Sequence, residues 1–300
     1  MKEIEKTQNQ TYLTPSPRRI PFLLLLRLYC GGFTNQFGWL FFGVGLIFFW
    51  IFEPITNLKS LYKFSGELDK VEGLVLSWEE TNIKENNEQV YFIRYSFKLP
   101  NGQQYFGESY STGEYLVVNS PVIVEYPKGD PSISRIEGMR TSKLGILGIF
   151  VVFFPMAGLA FIIKGLKNGR KAHRLLKWGK LTHGQLNSKV ETNMKINKRP
   201  VYKLSFEFIA EDGTKYNAIA KTHLPKYLED EKQERLVYDP TNPVNSVLLD
   251  SLPASPIIDE TGNFNFASNI EIVKAITGLI VPISSLIGHG IYIYNNFLLK

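Results

Sequence analysis

Residues 73–105, GLVLSWEETNIKENNEQVYFIRYSFKLPNGQQY, recur 111 positions later as residues 184–216, GQLNSKVETNMKINKRPVYKLSFEFIAEDGTKY. Twelve of the 33 aligned positions are identical, among them Gly73/Gly184, Thr81/Thr192, Val90/Val201, Tyr91/Tyr202, Phe97/Phe208, Gly102/Gly213 and Tyr105/Tyr216. After one inserted residue the register returns at Tyr126/Tyr238, Pro131/Pro243 and Ser134/Ser246. A match at fixed spacing replaces a whole-chain reading by a reading in units. The unit is a polar module, at residues 70–140 and again at 181–252, each beside an apolar stretch.

Three stretches have the length and composition of membrane spans: residues 36–55 (QFGWLFFGVGLIFFWIFEPI), 144–163 (LGILGIFVVFFPMAGLAFII) and 275–294 (AITGLIVPISSLIGHGIYIY). At 1.5 Å per helical residue, about 20 apolar residues cross a hydrocarbon core of roughly 30 Å. The third is the most polar, with Pro282, Ser284, Ser285 and His289. Residues 1–35 read as a basic, amphipathic lead-in lying along the membrane surface, with Arg18, Arg19 and Arg27 toward headgroups. No cleavable signal peptide is expected, because Arg27 interrupts the run of leucines and no small-residue cleavage site follows.

The net charge of +6 is unevenly distributed. Residues 53–143 and residues 181–271 each carry 10 basic and 13 acidic side chains, so both modules are slightly acidic. Residues 164–180, a basic juxtamembrane helix, carry seven basic side chains and no acid. Neither module therefore offers the clustered Lys and Arg of a nucleic-acid-binding face. The lone Cys30 excludes an intramolecular disulfide and a multi-Cys metal site.

Within each module, alternation at period two marks half-buried strands. In VYFIRYSF (residues 90–97), Tyr91, Ile93, Tyr95 and Phe97 share one face, matched by Tyr202, Leu204, Phe206 and Phe208. Asn101-Gly102 and Asp212-Gly213 supply hairpin turns. The polar runs at 80–87 and 191–198 separate the first two strands, and short helical turns are expected at 113–118 and 225–231. Two last strands flank the proline-rich turns PKGDP and DPTNP. Five strands suit a small barrel of the oligonucleotide/oligosaccharide-binding type or a small two-sheet sandwich. The fold class is thus membrane α plus β: three transmembrane helices carrying two repeated small all-β modules.

The pattern EGxVxxxxET, then VYxxxYxF with an NG turn, then VEYPxxxPxxSRIxG resembles an uncharacterised bacterial membrane-protein family built on a domain of unknown function. The residues that carry the resemblance are Gly73, Glu80, Thr81, Val90, Tyr91, Tyr95, Phe97, Gly102, Tyr126, Pro131, Ser134, Arg135 and Gly138. It covers roughly residues 20–255, and Arg135 has no equivalent in the second copy. The resemblance implies a multi-pass protein of the bacterial inner membrane and no particular chemistry.

No GxSxG, HExxH or GxxxxGK[ST] motif occurs, so no catalytic residue, metal or cofactor is expected. Lys167, Arg170, Lys171, Arg174 and Lys177 recur at helical spacing after the second span, on a surface suited to anionic lipid headgroups and equally to setting orientation. By the same charge rule this segment and the N-terminus are cytoplasmic, which puts the two modules on opposite sides. His289 is the one ionisable group inside a span, a functional candidate by position. The repeated Glu-Thr-Asn at 80–82 and 191–193 reads first as a turn whose side chains bond nearby backbone. The expected function is a non-enzymatic binding or scaffold protein, its partners membrane lipids and an unidentified protein. The alternative is an accessory subunit of a membrane enzyme or transporter.

Overall fold

The computed structural model describes residues 13–143, 150–229 and 232–299. The first twelve residues of the lead-in and the first six of the second apolar stretch lie outside them. The chain forms two compact units, Val44–Met156 and Met1–Gly43 with Ala157–Lys300. Helix α1 (Phe22–Cys30) precedes α2 (Phe33–Thr56) and the short α3 (Leu58–Lys63). The first sheet follows, then α4 (Phe150–Trp178), the second sheet and the C-terminal helices α5 (Asn269–Thr277) and α6 (Ile280–Ile293).

The three segments Phe33–Phe52, Phe150–Trp178 and Asn269–Leu298 are long and apolar enough to cross a membrane. Their apolar side chains face outward over much of their length, among them Leu40, Ile47, Ile51, Phe153, Leu159, Ile283, Leu286 and Ile291. An exposed apolar surface of that extent is foreign to water. The third segment breaks between α5 and α6 at Gly278 and Leu279, then ends in a π turn, Tyr294–Leu298. Gln36 of α2 donates to the freed carbonyl of Gly278 and to that of Cys30, polar glue of the kind that holds packed membrane helices.

The first sheet holds β1 (Leu68–Glu85), β2 (Glu88–Lys98), β3 (Gln104–Thr112), β4 (Pro121–Pro127) and β5 (Arg135–Ile136). The second holds β6 (Lys180–Ile196), β7 (Arg199–Ile209), β8 (Lys215–Thr222), β9 (Glu234–Asp239) and β10 (Asn242–Leu248). Both are antiparallel and share one order, β3-β2-β1-β4-β5 and its counterpart β8-β7-β6-β9-β10. The registers correspond residue for residue: Val75 faces Tyr95 as Leu186 faces Phe206, and Val124 faces Ile136 as Leu236 faces Leu248. Even the two irregularities of the first pair, at Val75/Ser77 and Glu80/Lys84, recur at Leu186/Ser188 and Glu191/Lys195.

Several expectations are corrected. Neither sheet closes into a barrel; in the first, backbone pairing joins the end strands β3 and β5 only through an isolated bridge between Tyr110 and Arg140. The polar runs do not separate strands. β1 and β6 extend through them and turn at Asn86-Asn87 and Asn197-Lys198, where positive φ at both positions makes a two-residue hairpin turn. No helix forms at 113–118, whereas Pro225–Leu228 is a 3₁₀ turn. A small hairpin, β11 (Ile257–Ile258) with β12 (Phe264–Asn265), follows the second sheet and was not foreseen.

The inward faces are as the alternation predicts. Ile93, Tyr95 and Phe97 are buried, as are Leu204, Phe206 and Phe208. Phe97 stacks between Tyr105 and Tyr126, with ring centroids 5.5 and 5.9 Å away, and Phe208 sits between Tyr216 and Tyr238 at 6.0 and 5.4 Å. One cross-strand pair of the cores differs in polarity as well as in size. Tyr95 faces Gly107 and its hydroxyl reaches Ser134 Oγ at 2.9 Å, whereas Phe206 faces Ala218. A Cβ on Gly107 would overlap the Tyr95 ring end and hydroxyl, so the tyrosine requires glycine while the phenylalanine admits alanine. Gly107→Ala alone should therefore destabilise the first sheet by about 1–3 kcal/mol through overpacking. Adding Tyr95→Phe should recover most of the loss in thermal melts of the detergent-solubilised protein. Additive losses from the two changes would disprove this coupling.

Candidate functional site

A helix that changes from apolar to basic carries two faces, and α4 sorts them by spacing. Ile162, Gly165, Gly169, Ala172, Leu175 and Leu176 are buried; Lys167, Arg170, Lys171 and Arg174 are exposed. Lys177 is half-buried, its Nζ 5.6 Å from the Trp178 ring centroid, and Arg174 pairs with Asp239. Lys167, Arg170 and Lys171 form no ion pair with a described residue.

The buried face of α4 packs into a core shared by helices and sheet. Leu24 and Leu28 of α1, Leu175 and Leu176 of α4, Val237 of β9, Leu249, and Phe264 of β12 are all below about one-twentieth exposed and form one cluster, with Leu181 and Val247 against it. The expected surface-lying lead-in is thereby corrected: α1 is part of a protein core. Arg18 does not reach for headgroups either. It is 8 % exposed and closes the end of α4. Its Nη1 donates to the carbonyls of Leu176 (3.1 Å) and Gly179 (2.7 Å), its Nε to Thr14 O, and its backbone N–H to Lys177 O. These carbonyls are among those a helix C-terminus leaves without partners, and a cation there also meets the negative end of the helix dipole. Arg27 lies within 3.5 Å of Glu271, which also binds Lys274.

Where α4 meets the start of α2, glycine brings the helices together. A Cβ on Gly165 would lie 2.6 Å from Asn35 Cβ, and one on Gly169 would lie 2.8 Å from Leu28 O. Small residues at helix crossings allow this approach. Asn35 is 1 % exposed, and neither its Oδ1 nor its Nδ2 has a hydrogen-bond partner. An unsatisfied buried amide costs about 1–3 kcal/mol. Beside it lies a cavity of about 330 Å³ lined by Asn35, Thr34, Asn168, Lys171, Ser246 and Ser251 together with apolar side chains. Lys171, one of the five basic candidates, is the one this cavity includes.

His289 sits elsewhere, on α6, and its Nε2 donates to Gly43 O of α2 at 3.1 Å. That contact ties the two helices, and Ser285 lies beside it, 2.9 Å from where a Gly43 Cβ would be. His183 is exposed and His223 half-buried. His173 shares a 3.1 Å hydrogen bond with Tyr29 across α1 and α4. Among the described residues no three His, Cys, Asp or Glu side chains converge as metal ligands would.

In the modules, Thr81 Oγ1 donates to Val90 O at 2.8 Å and Thr192 Oγ1 to Val201 O at 2.7 Å. The repeated Glu-Thr-Asn thus pins an irregular stretch of the first hairpin in both copies. The first module adds a cavity of about 400 Å³ at Arg94, Tyr95, Phe106, Glu108 and Ser134, with the Tyr95 hydroxyl pushed up to about 12 by burial and so neutral. On its surface Trp78, Tyr91 and Tyr115 form an aromatic cluster, centroids 4.7–5.7 Å apart, with Tyr115 56 % exposed. The second module has Lys189 where the first has Trp78, its Nζ 4.9 Å over Tyr202.

One further difference escapes a reading based on identities. Lys70, Glu125 and Arg135 hold the ladder positions that Leu181, Val237 and Val247 hold in the second copy, and Glu137 follows β5 as Leu249 follows β10. In the first module Lys70 pairs with Glu137, and Arg135 binds Glu125 at 2.6 Å while covering the Phe64 ring at 4.2 Å. In the second, all four apolar residues pack with the helical core. Aligning the copies for their changes of polarity would have marked this docking face. Asn35 and Arg18 carry no such signal, since each is one polar residue near an apolar run.

Replacing Arg18 by Met keeps the stem and strands two carbonyls at the end of α4. The loss should be about 2–3 kcal/mol, seen as a lower melting temperature. Arg18→Lys should recover only part, because an ammonium lacks the guanidinium fork. A Met variant melting like the parent would show that the clasp contributes nothing.

No protein-family model matches this chain, and no curated protein is similar to it.

Proposed function

We propose that the chain is a multi-pass protein of a bacterial cell membrane that works without catalysis, presenting its first β module to a protein partner. The observation that carries this reading is the Trp78–Tyr91–Tyr115 cluster. Tyr115 is exposed and rests on the half-buried rings of Trp78 and Tyr91, and aromatic residues are enriched at protein interfaces. The second copy packs a different face, that of Leu181, Val237, Val247 and Leu249, on the helices, and carries a lysine in place of Trp78. One module thus anchors while the other remains available. The alternative reading, an accessory subunit of a membrane enzyme or transporter, places the partner against the helices instead.

Purification in mild detergent with the variant Trp78→Lys plus Tyr115→Ala separates the two. Because the second copy tolerates lysine at the corresponding position, the fold should survive. A stoichiometric partner that leaves with this variant supports the proposal; one that stays supports the accessory-subunit reading, and absence of any partner from the parent protein overturns both.

Orientation follows from charge: seven basic residues close to the end of a span place residues 164–180 in the cytoplasm. Under the same rule the first module lies outside and the second inside. Single cysteines at Lys84 and Lys195, equivalent exposed positions, in a Cys30→Ser background will report this. An impermeant thiol reagent on intact cells should label position 84 and spare position 195; equal labelling would put both modules on one side.

A further inference from the structure

The cavity beside Asn35 combines features that no structural role accounts for. Its amide is buried with both polar atoms unpartnered, held there by the close approach of Gly165. A buried amide offers one acceptor and two donors, and native structures seldom leave all of them empty. Lys171 brings a positive charge to the same cavity, free of any ion pair with a described residue, and Thr34, Asn168, Ser246 and Ser251 add hydroxyl and amide groups. A compact ammonium among hydroxyls and amides suits a phosphate carried on a polyol. The size, about 330 Å³, falls within the range of small-ligand sites.

Its position narrows the source. On α4 the apolar run ends at Ile163, and the cavity begins two residues later, at Gly165. On α2 it begins at Phe33, the first residue of an apolar span, 73 % exposed beside the polar lining. Leu28, Ala172, Leu252 and Pro253 complete an apolar wall. Polar groups and a charge on one side with exposed apolar side chains on the other are what a lipid meets where its chains join its headgroup. We propose that this cavity is a specific site for an anionic phospholipid, with Lys171 on the phosphate and the Asn35 amide on the glycerol or ester oxygens. The proposal rests on the membrane reading given above.

The test uses the full chain, delipidated in mild detergent, and follows its melting temperature. Dioctanoyl phosphatidylglycerol should raise it saturably, while dioctanoyl phosphatidylcholine should do so at least tenfold more weakly. Lys171→Gln should weaken the anionic lipid at least tenfold. Lys167→Gln, on the same helix outside the cavity, should leave it unchanged. Asn35→Ala should remove most of the lipid-induced shift without lowering the melting point of the lipid-free protein, since the amide has no partner to lose. Equal stabilisation by glycerol 3-phosphate or inorganic phosphate would make the ligand a soluble phosphate and overturn the lipid assignment. A lipid shift insensitive to Lys171 and Asn35 would overturn the site. Resistance to alkaline carbonate extraction reads the membrane premise separately: a protein that is extracted fails that premise, whereas one that stays embedded but shows no saturable lipid shift fails only this proposal.

Discussion

Leu181, Val237, Val247 and Leu249 lay one face of the second sheet onto Leu24 and Leu28 of α1 and Leu175 and Leu176 of α4. Full burial of each such side chain is worth roughly 1.5–3 kcal/mol, so this contact outweighs the surface ion pairs around it. Everything near the candidate lipid site depends on it. With α1 gripped by the sheet and lying against Gly169, the start of α2 lies against Gly165, and Asn35 is shut away from water. Arg18 completes the arrangement by capping the helix end that the same contact would otherwise bury with empty carbonyls.

Two copies of one sheet have taken different routes from the same backbone. Strand order, register and the threonine-pinned irregularity are common to both, because they are properties of the hydrogen-bond ladder and its turns. What differs is chemistry placed on that ladder. Four positions are charged in one copy and aliphatic in the other, and a tyrosine–glycine pair in one is a phenylalanine–alanine pair in the other. These exchanges are concerted: reversing one member alone leaves either an unpaired charge against apolar side chains or a ring without room.

Much of this was legible in the sequence. Strand alternation in residues 90–97 and 201–208 places the inward aromatics, and the lengths of the apolar runs place the candidate spans. The turn at Asn86-Asn87 was hidden, because a run of polar residues looks like a loop whether or not the strands continue through it. The break in the third apolar segment was hidden as well, since Gly278 alone does not force one; it is accommodated because Gln36 from another helix donates a hydrogen bond to the freed carbonyl. The lead-in was misplaced for a more general reason. An amphipathic helix buries its leucines equally well in lipid or against protein, and only the apolar face of a sheet remote in sequence decides between them. Asn35 belongs to the same class, for it is covered by the close approach of Gly165, about 130 residues away in the chain.

Gly179 is the single residue between α4 and β6. Its N–H is bonded to Leu175 O at 2.7 Å, and a Cβ there would stand 2.8 Å from Tyr238 O, so the join has neither slack nor space. The second sheet is consequently geared to the helix that carries it. At 1.5 Å and about 100° per residue, a single insertion between Lys164 and Lys177 would raise the sheet slightly but turn it by more than a quarter revolution. The phase of that helix is therefore held to within one residue, and any twist imparted along α4 must reach the sheet undiminished.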